Sequence, residues 1–177
     1  MVERQHHYAV TVEWIGNTGQ GTVDYKSYDR THRITAEDKP DIIGSADPAF
    51  RGDSAYWNPE DLLVAALSAC HKLWYLHLCA DAGITVTSYR DEATGLMEED
   101  GDGGQFVHVV LRPQVTVSSE ADRDRAEELH AAASRRCFIR NSVSFAVEHA
   151  PKISVEQAQA RSTAPPGSSK EPERNRR

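Results

Sequence analysis

The chain is 177 residues long, 39% apolar and 27% charged, with a formal net charge of -7. That is enough for one domain with a real core, and too acidic to supply the concentrated basic face that a nucleic-acid backbone demands. Three cysteines, behind a Met1–His7 start that lacks the pattern of a secretory leader, point to a cytoplasmic protein rather than a disulfide scaffold.

His7 to Trp14 alternates, with Tyr8, Val10, Val12 and Trp14 on one side, and reads as a half-buried strand. A glycine-rich turn over Gly16–Gly21 leads to a predicted second strand, Thr22 to Tyr28, as its hairpin partner. Those glycines lack the Walker lysine and the strand-to-helix setting of a phosphate loop. Arg30 to Ile34 reads as a short third strand. Ala36 to Trp57 is irregular, and a loop of that length tends to serve function; Phe50, Arg51, Tyr56 and Trp57 suit a pocket rim.

Residues 58–83 are the longest apolar segment and read as one helix. Asn58 is a good N-cap, Pro59 suits the first turn, Glu60 and Asp61 suit the positive end of the helix dipole, and Gly83 supplies a stop. Its apolar residues cover most of the circumference, so the helix is expected to be buried on nearly every side. A membrane span is the rival reading, but Asp61, His71, Lys72, His77 and Asp81 break the roughly 20 clean residues a bilayer requires, so no membrane insertion is expected.

Ile84 to Met97 predicts a strand, Glu98–Gly104 an acidic solvated turn without the ligand pattern of a calcium loop, and Phe106 to Leu111 the return strand. Val115–Val117 extends that strand past Pro113. Ser118–Ser119 caps a second helix over Ala121 to Arg136, whose Ala126, Leu129 and Ala133 face the core. Val143 to Glu148 is the last predicted strand. One domain, 1–153, is followed by a polar tail, 154–177, that is rich in Ser, Pro, Gly and charge from Arg161 onward and reads as disordered. The fold class is α+β. Two helices and about six strands leave an all-round apolar helix uncovered unless a second sheet and a second chain pack on it, which makes a homodimer the expectation.

Cys70 is the leading candidate for chemistry. Cysteine packs well in buried helices and so can be inert, but Cys70 has His71 and Lys72 beside it, and Arg30 and Arg51 in the segments preceding the helix; a nearby cation lowers a thiol pKa. The helix dipole does not reach it, eleven residues in. Cys79 lies roughly 13 Å further along the axis and reads as core. Cys137, on a separate element, is free to meet Cys70 in space. Glu60 is a first-turn carboxylate about 15 Å from Cys70, so an arginine held by Glu60 reaches the cysteine of another subunit more easily than its own. No histidine pair has zinc-motif spacing, no Cys-x-x-Cys occurs, and there is no Gly-x-Ser-x-Gly elbow.

Asn58-Pro59-Glu60-Asp61-Leu62-Leu63, then Ala66-Leu67-Ser68-Ala69-Cys70, with a lone Cys137 before Ile139 and Ser142, resembles the OsmC/Ohr family of thiol-dependent peroxidases. Trp14-x-Gly16 and Gly19-x-Gly21-Thr22 fit as well, so the resemblance covers residues 7 to 150. It implies an intertwined homodimer in which antiparallel sheets wrap two central helices, and reduction of organic hydroperoxides without a cofactor or metal. It also implies a peroxidatic role for Cys70, a resolving role for Cys137, and a Glu60 carboxylate that holds the catalytic arginine. Arg51 matches the OsmC branch and Arg30 the Ohr branch. Phe138 stands where proline is common. An external dithiol would regenerate the enzyme. The alternatives are a binding protein of the same architecture with an inert Cys70, and a thiol that hydrolyses activated acyl groups.

Overall fold

The computed structural model describes residues 4–156. Of the expected tail, 154–177, Ser154 and Val155 belong instead to an ordered strand, Lys152–Val155, and residues 157–177 lie outside the described residues. The chain order is β1 (Thr11–Trp14), β2 (His32–Thr35), β3 (Ile42–Gly44), α1 (Pro59–Asp81), β4 (Val86–Asp91), β5 (Thr94–Asp100), β6 (Gly103–Leu111), β7 (Pro113–Val117), α2 (Arg123–Arg136), β8 (Ala146–His149) and β9 (Lys152–Val155). Three three-stranded sheets result, ordered β1-β2-β3, β4-β7-β9 and β5-β6-β8. This is an α+β architecture.

The ends of α1 follow its sequence. The Asn58 side chain accepts a hydrogen bond from the Asp61 N–H at 2.7 Å, Pro59 occupies the first turn, and Gly83 takes a positive φ of 74° just beyond the last turn. Coverage is less complete than expected. Only Leu67, His71, Tyr75, Leu78 and Cys79 are buried, a single stripe at spacings of three and four, while Ala65, Ala69 and Leu73 on the other side are exposed. By length and composition α1 could cross a membrane, but its stripe packs on α2 and β4 within the fold.

The expected strand Thr22–Tyr28 is instead a series of turns. Asn17 Oδ1 accepts from the N–H groups of Gly19 and Gly21, Asp24 Oδ1 accepts from Lys26, and the Ser27 hydroxyl donates to the Asp24 carbonyl. These local bonds outcompete a ladder. β1 therefore pairs with β2, from Thr11 opposite Thr35 to Trp14 opposite His32. The long loop is also ordered, by β3 and by a 3-10 turn, Pro48–Phe50, that Asp47 caps.

Further on, β5 and β6 run closer to the acidic tip than expected, with Asp100 opposite Gly103 and Gly101 at φ 62°. Residues 115–117 are not a continuation of β6 but belong to β7, which pairs with β4. Beyond β8 the chain makes a further strand, β9. Both add in parallel, β8 to β6 and β9 to β7, which the crossover through α2 permits.

Two apolar clusters hold the fold together. One joins Tyr75, Leu78, Cys79 and Ile84 to Val115 and Val117 of β7 and to Ala126, Leu129 and Ala133 of α2. The other joins Leu67 to Val109 and Leu111. No buried apolar residue of the described chain precedes Leu67, so β1–β3 add nothing to this core. Tyr8, Val10, Val12 and Trp14, expected to be half-buried, are 91%, 67%, 62% and 42% exposed.

Candidate active site

Cys70 sits midway along α1 and is half-buried; Cys137 follows the last turn of α2 and is buried. The two thiols lie near each other across 67 residues of sequence, close enough for Cys70 to raise the Cys137 pKa. The loop after Cys137 is held by its own bonds: Asn141 Nδ2 donates to the Arg135 carbonyl at 3.1 Å, and the Ser142 hydroxyl donates to the Phe138 carbonyl at 2.8 Å. This aims the Arg140 N–H at the Cys137 sulfur, 3.4 Å away. Burial, followed by the neighbouring Cys70, pushes the Cys137 thiol up to about 11, which the backbone donors partly oppose.

An aromatic wall flanks the pair. Trp74, one helical turn beyond Cys70, meets the edge of Phe138 at 5.6 Å, and the Arg136 guanidinium lies 5.8 Å from the Trp74 ring. Phe138 itself is 68% exposed. The aromatic residues of the long loop do not join this wall. Trp57 lines a groove of about 820 Å³ with Glu60, Val64 and Phe106, and Phe50 lines a separate hollow of about 260 Å³.

That smaller hollow also holds Arg30 and Glu60. The Arg30 guanidinium is clamped between the rings of Tyr25 and Tyr28, at 4.4 and 4.2 Å, and donates to the carbonyls of both residues. Glu60 Oε2 is buried and has no hydrogen-bond partner among the described residues. Arg51, at φ 66°, ends the 3-10 turn and is exposed. The structure thus brings Cys70 to Cys137 and Arg30 toward Glu60, but leaves the two groups at different levels of α1, ten residues or about 15 Å apart.

Cys79 is buried, and burial raises its pKa. Sequence reasoning weighed His71 as a neighbour of Cys70 and as a metal ligand, and passed over His130 and His149. All three meet in the interior. The signal was available: His71 falls on the stripe Leu67, Tyr75, Leu78, and His130 falls on Ala126, Leu129, Ala133. Among the described residues no cluster of His, Cys, Asp and Glu has a metal-holding arrangement.

A family model described as OsmC-like protein matches residues 52–152. Among curated proteins, the organic hydroperoxide resistance protein OhrB of Bacillus subtilis is 32% identical over 80 residues, which is 45% of this chain and 57% of that protein. An uncharacterized protein of Methanocaldococcus jannaschii is 26% identical over 95 residues, covering 51% and 47%. The match therefore spans about half the length of these curated relatives. Among solved structures, an OsmC-like protein of unknown function from Vibrio cholerae superimposes with a TM-score of 0.76 at 32% identity, over 84% of this chain and 100% of that one. An organic hydroperoxide resistance protein from Elizabethkingia anophelis shares the fold, with a TM-score of 0.61 at 16% identity, over 86% of this chain and 100% of its own. With more than half of its length matched, the chain belongs to the family of OsmC-like proteins.

Proposed function

We propose that this protein is a cytoplasmic, cysteine-based peroxidase that reduces organic hydroperoxides to alcohols. The observation that carries the reading is the closeness of the Cys70 and Cys137 thiols, which lets Cys70 raise the Cys137 pKa. In the first step the Cys70 thiolate attacks the distal peroxide oxygen; the O–O bond breaks, the alkoxide takes a proton and leaves as alcohol, and Cys70 becomes a sulfenic acid. Cys137 then displaces that hydroxyl as water and a Cys70–Cys137 disulfide forms. An external dithiol reduces the disulfide. Trp74 and Phe138 offer an apolar wall beside the sulfur, which favours alkyl or lipid hydroperoxides over hydrogen peroxide.

The working unit in this reading is a homodimer. The exposed row Ala65, Ala69 and Leu73 of α1, and the uncovered face of β1, are surfaces for a second copy. In such an assembly Glu60 and an arginine of one chain serve the cysteines of the other, and the buried, unpartnered Glu60 oxygen suits a guanidinium. Arg30 fits this role better than Arg51, because it shares the hollow with Glu60.

Stopped-flow consumption of an organic hydroperoxide by wild type and Cys70→Ser tests the reading; equal rates refute it. Mass spectrometry after one equivalent of peroxide is expected to show the disulfide between residues 70 and 137. The burial of Cys137 favours a second reading, an OsmC-like binding protein whose thiols are inert. Alkylation at neutral pH separates the two, since inert thiols resist it and a peroxidatic thiolate does not.

A further inference from the structure

Three imidazoles form a column in the interior between the two apolar clusters. His71 of α1 and His130 of α2 are 1% and 0% exposed, their rings are near-parallel, and His71 Nε2 lies 2.9 Å from His130 Nδ1. His149, at the end of β8 and half-buried, sits with its ring 5.7 Å from His71 and 6.2 Å from His130. Tyr75 closes the far side, stacked on His130 at 3.9 Å. The column reaches the second cysteine: His71, His149 and Cys137 line one narrow crevice with Leu67, Arg140 and Glu148. Core packing alone does not call for this arrangement, because buried polar rings cost free energy unless fully satisfied, and His130 Nε2 has no partner among the described residues.

Cys137 has a matching need. Its thiol is buried, and to attack an oxidised Cys70 it must lose a proton where water has little access. We propose that His71 and His149, backed by His130, accept the Cys137 thiol proton when Cys137 attacks sulfur at Cys70. In that step the Cys137 S–H bond breaks, the S–S bond forms and the bond from Cys70 to its leaving group breaks. With a sulfenic acid the leaving group is hydroxide, which takes the proton from the column and departs as water. Burial, with the neighbouring histidines, lowers His71 to about 4 and His130 to about 3, so both rings are unprotonated and ready as acceptors. The thiolate created beside them then favours the imidazolium. The charged or titratable groups facing the column are Tyr75 on α1, Cys137 and Arg140 in the loop after α2, and Glu148 on β8.

The idea rests on the peroxidase reading only for the natural source of oxidised Cys70. The test does not: an aromatic disulfide, dithiobis-nitrobenzoate, places one nitrothiobenzoate on Cys70, and Cys137 expels it as a coloured thiolate. In wild type this second release is expected to be flat with pH from about 6 to 9. In His149→Gln, whose position is half-buried, and in His71→Gln, it is expected to slow about 100-fold at neutral pH and to climb about tenfold per pH unit as hydroxide replaces the imidazole. A flat, wild-type second phase in both variants overturns the proposal. A histidine effect in a protein that consumes no peroxide leaves this inference standing and removes the peroxidase.

Discussion

The buried His71–His130 pair makes stability depend on mild acid, and the size of the effect follows from burial. Folding holds both rings below their unfolded value of about 6.5, near 4 for His71, where burial is the first cause and His149 the second, and near 3 for His130. For a base lowered on folding, the unfolded chain binds more protons, so the stabilisation is complete above the unfolded pKa and is lost as pH falls toward the folded values. From pH 7 to pH 5 each ring stays neutral in the fold while its unfolded counterpart charges, at a cost of about 2 kcal/mol per histidine, about 4 kcal/mol for the pair. That is a large share of a domain stability of about 5–15 kcal/mol. Urea unfolding at fixed protein concentration is expected to show a midpoint lower by about 2 M at pH 5 than at pH 7. Unfolded carboxylates titrate mostly below this window, near 4. His130→Phe keeps a ring against Tyr75 but cannot titrate, and is expected to halve the shift. Equal midpoints at the two pH values, or an undiminished shift in His130→Phe, would refute the reasoning.

Other outcomes follow from the same structure. Cys137→Ser is expected to keep the first peroxide turnover but to lose the disulfide, so mass spectrometry at excess peroxide shows sulfinic acid at Cys70. If the site is shared between subunits, Cys70→Ser and Glu60→Gln are each nearly inactive, yet their co-expressed heterodimer contains one intact site and regains up to about half of the wild-type rate; no recovery refutes the shared site. Leu67→Ala removes a fully buried side chain between α1 and β6 and is expected to cost about 2–5 kcal/mol by chemical denaturation. Gly52→Ala sets a methyl group against the Ala46 carbonyl, so the loop before α1 must shift; faster limited proteolysis of residues 45–57 is the readout.

What the sequence made legible was whatever local chemistry decides. The caps of α1, the stripe Ala126, Leu129, Ala133 and the strand character of β1, though not the burial of its apolar face, were readable, because capping bonds and periodicity depend on near neighbours. Residues 22–28 misled because alternation is a weaker signal than the Asn17, Asp24 and Ser27 side chains that bond their own backbone. The parallel placement of β8 and β9 was out of reach, since register with β6 and β7 is fixed by a crossover and not by any neighbour. At the site, the helix positions of Glu60 and Cys70 gave their separation at once. That Cys137 comes near Cys70, or that His130 touches His71, depends on how α2 lies against α1, which no single stretch encodes.

That late crossover has a consequence for how the chain is made. The stripe of α1 from Leu67 to Cys79 finds its cover on α2 and β7, and the second cluster is walled by residues as late as Val147. A ribosome must therefore finish β8 and β9, which is more than seventy residues after the helix emerges, before the helix has a complete partner. At about 5–20 residues per second the most apolar segment waits several seconds unsheltered. Nascent chains stalled before Ala146 are expected to be bound by holding chaperones, and a circular permutant that supplies β8–β9 first would shorten that wait.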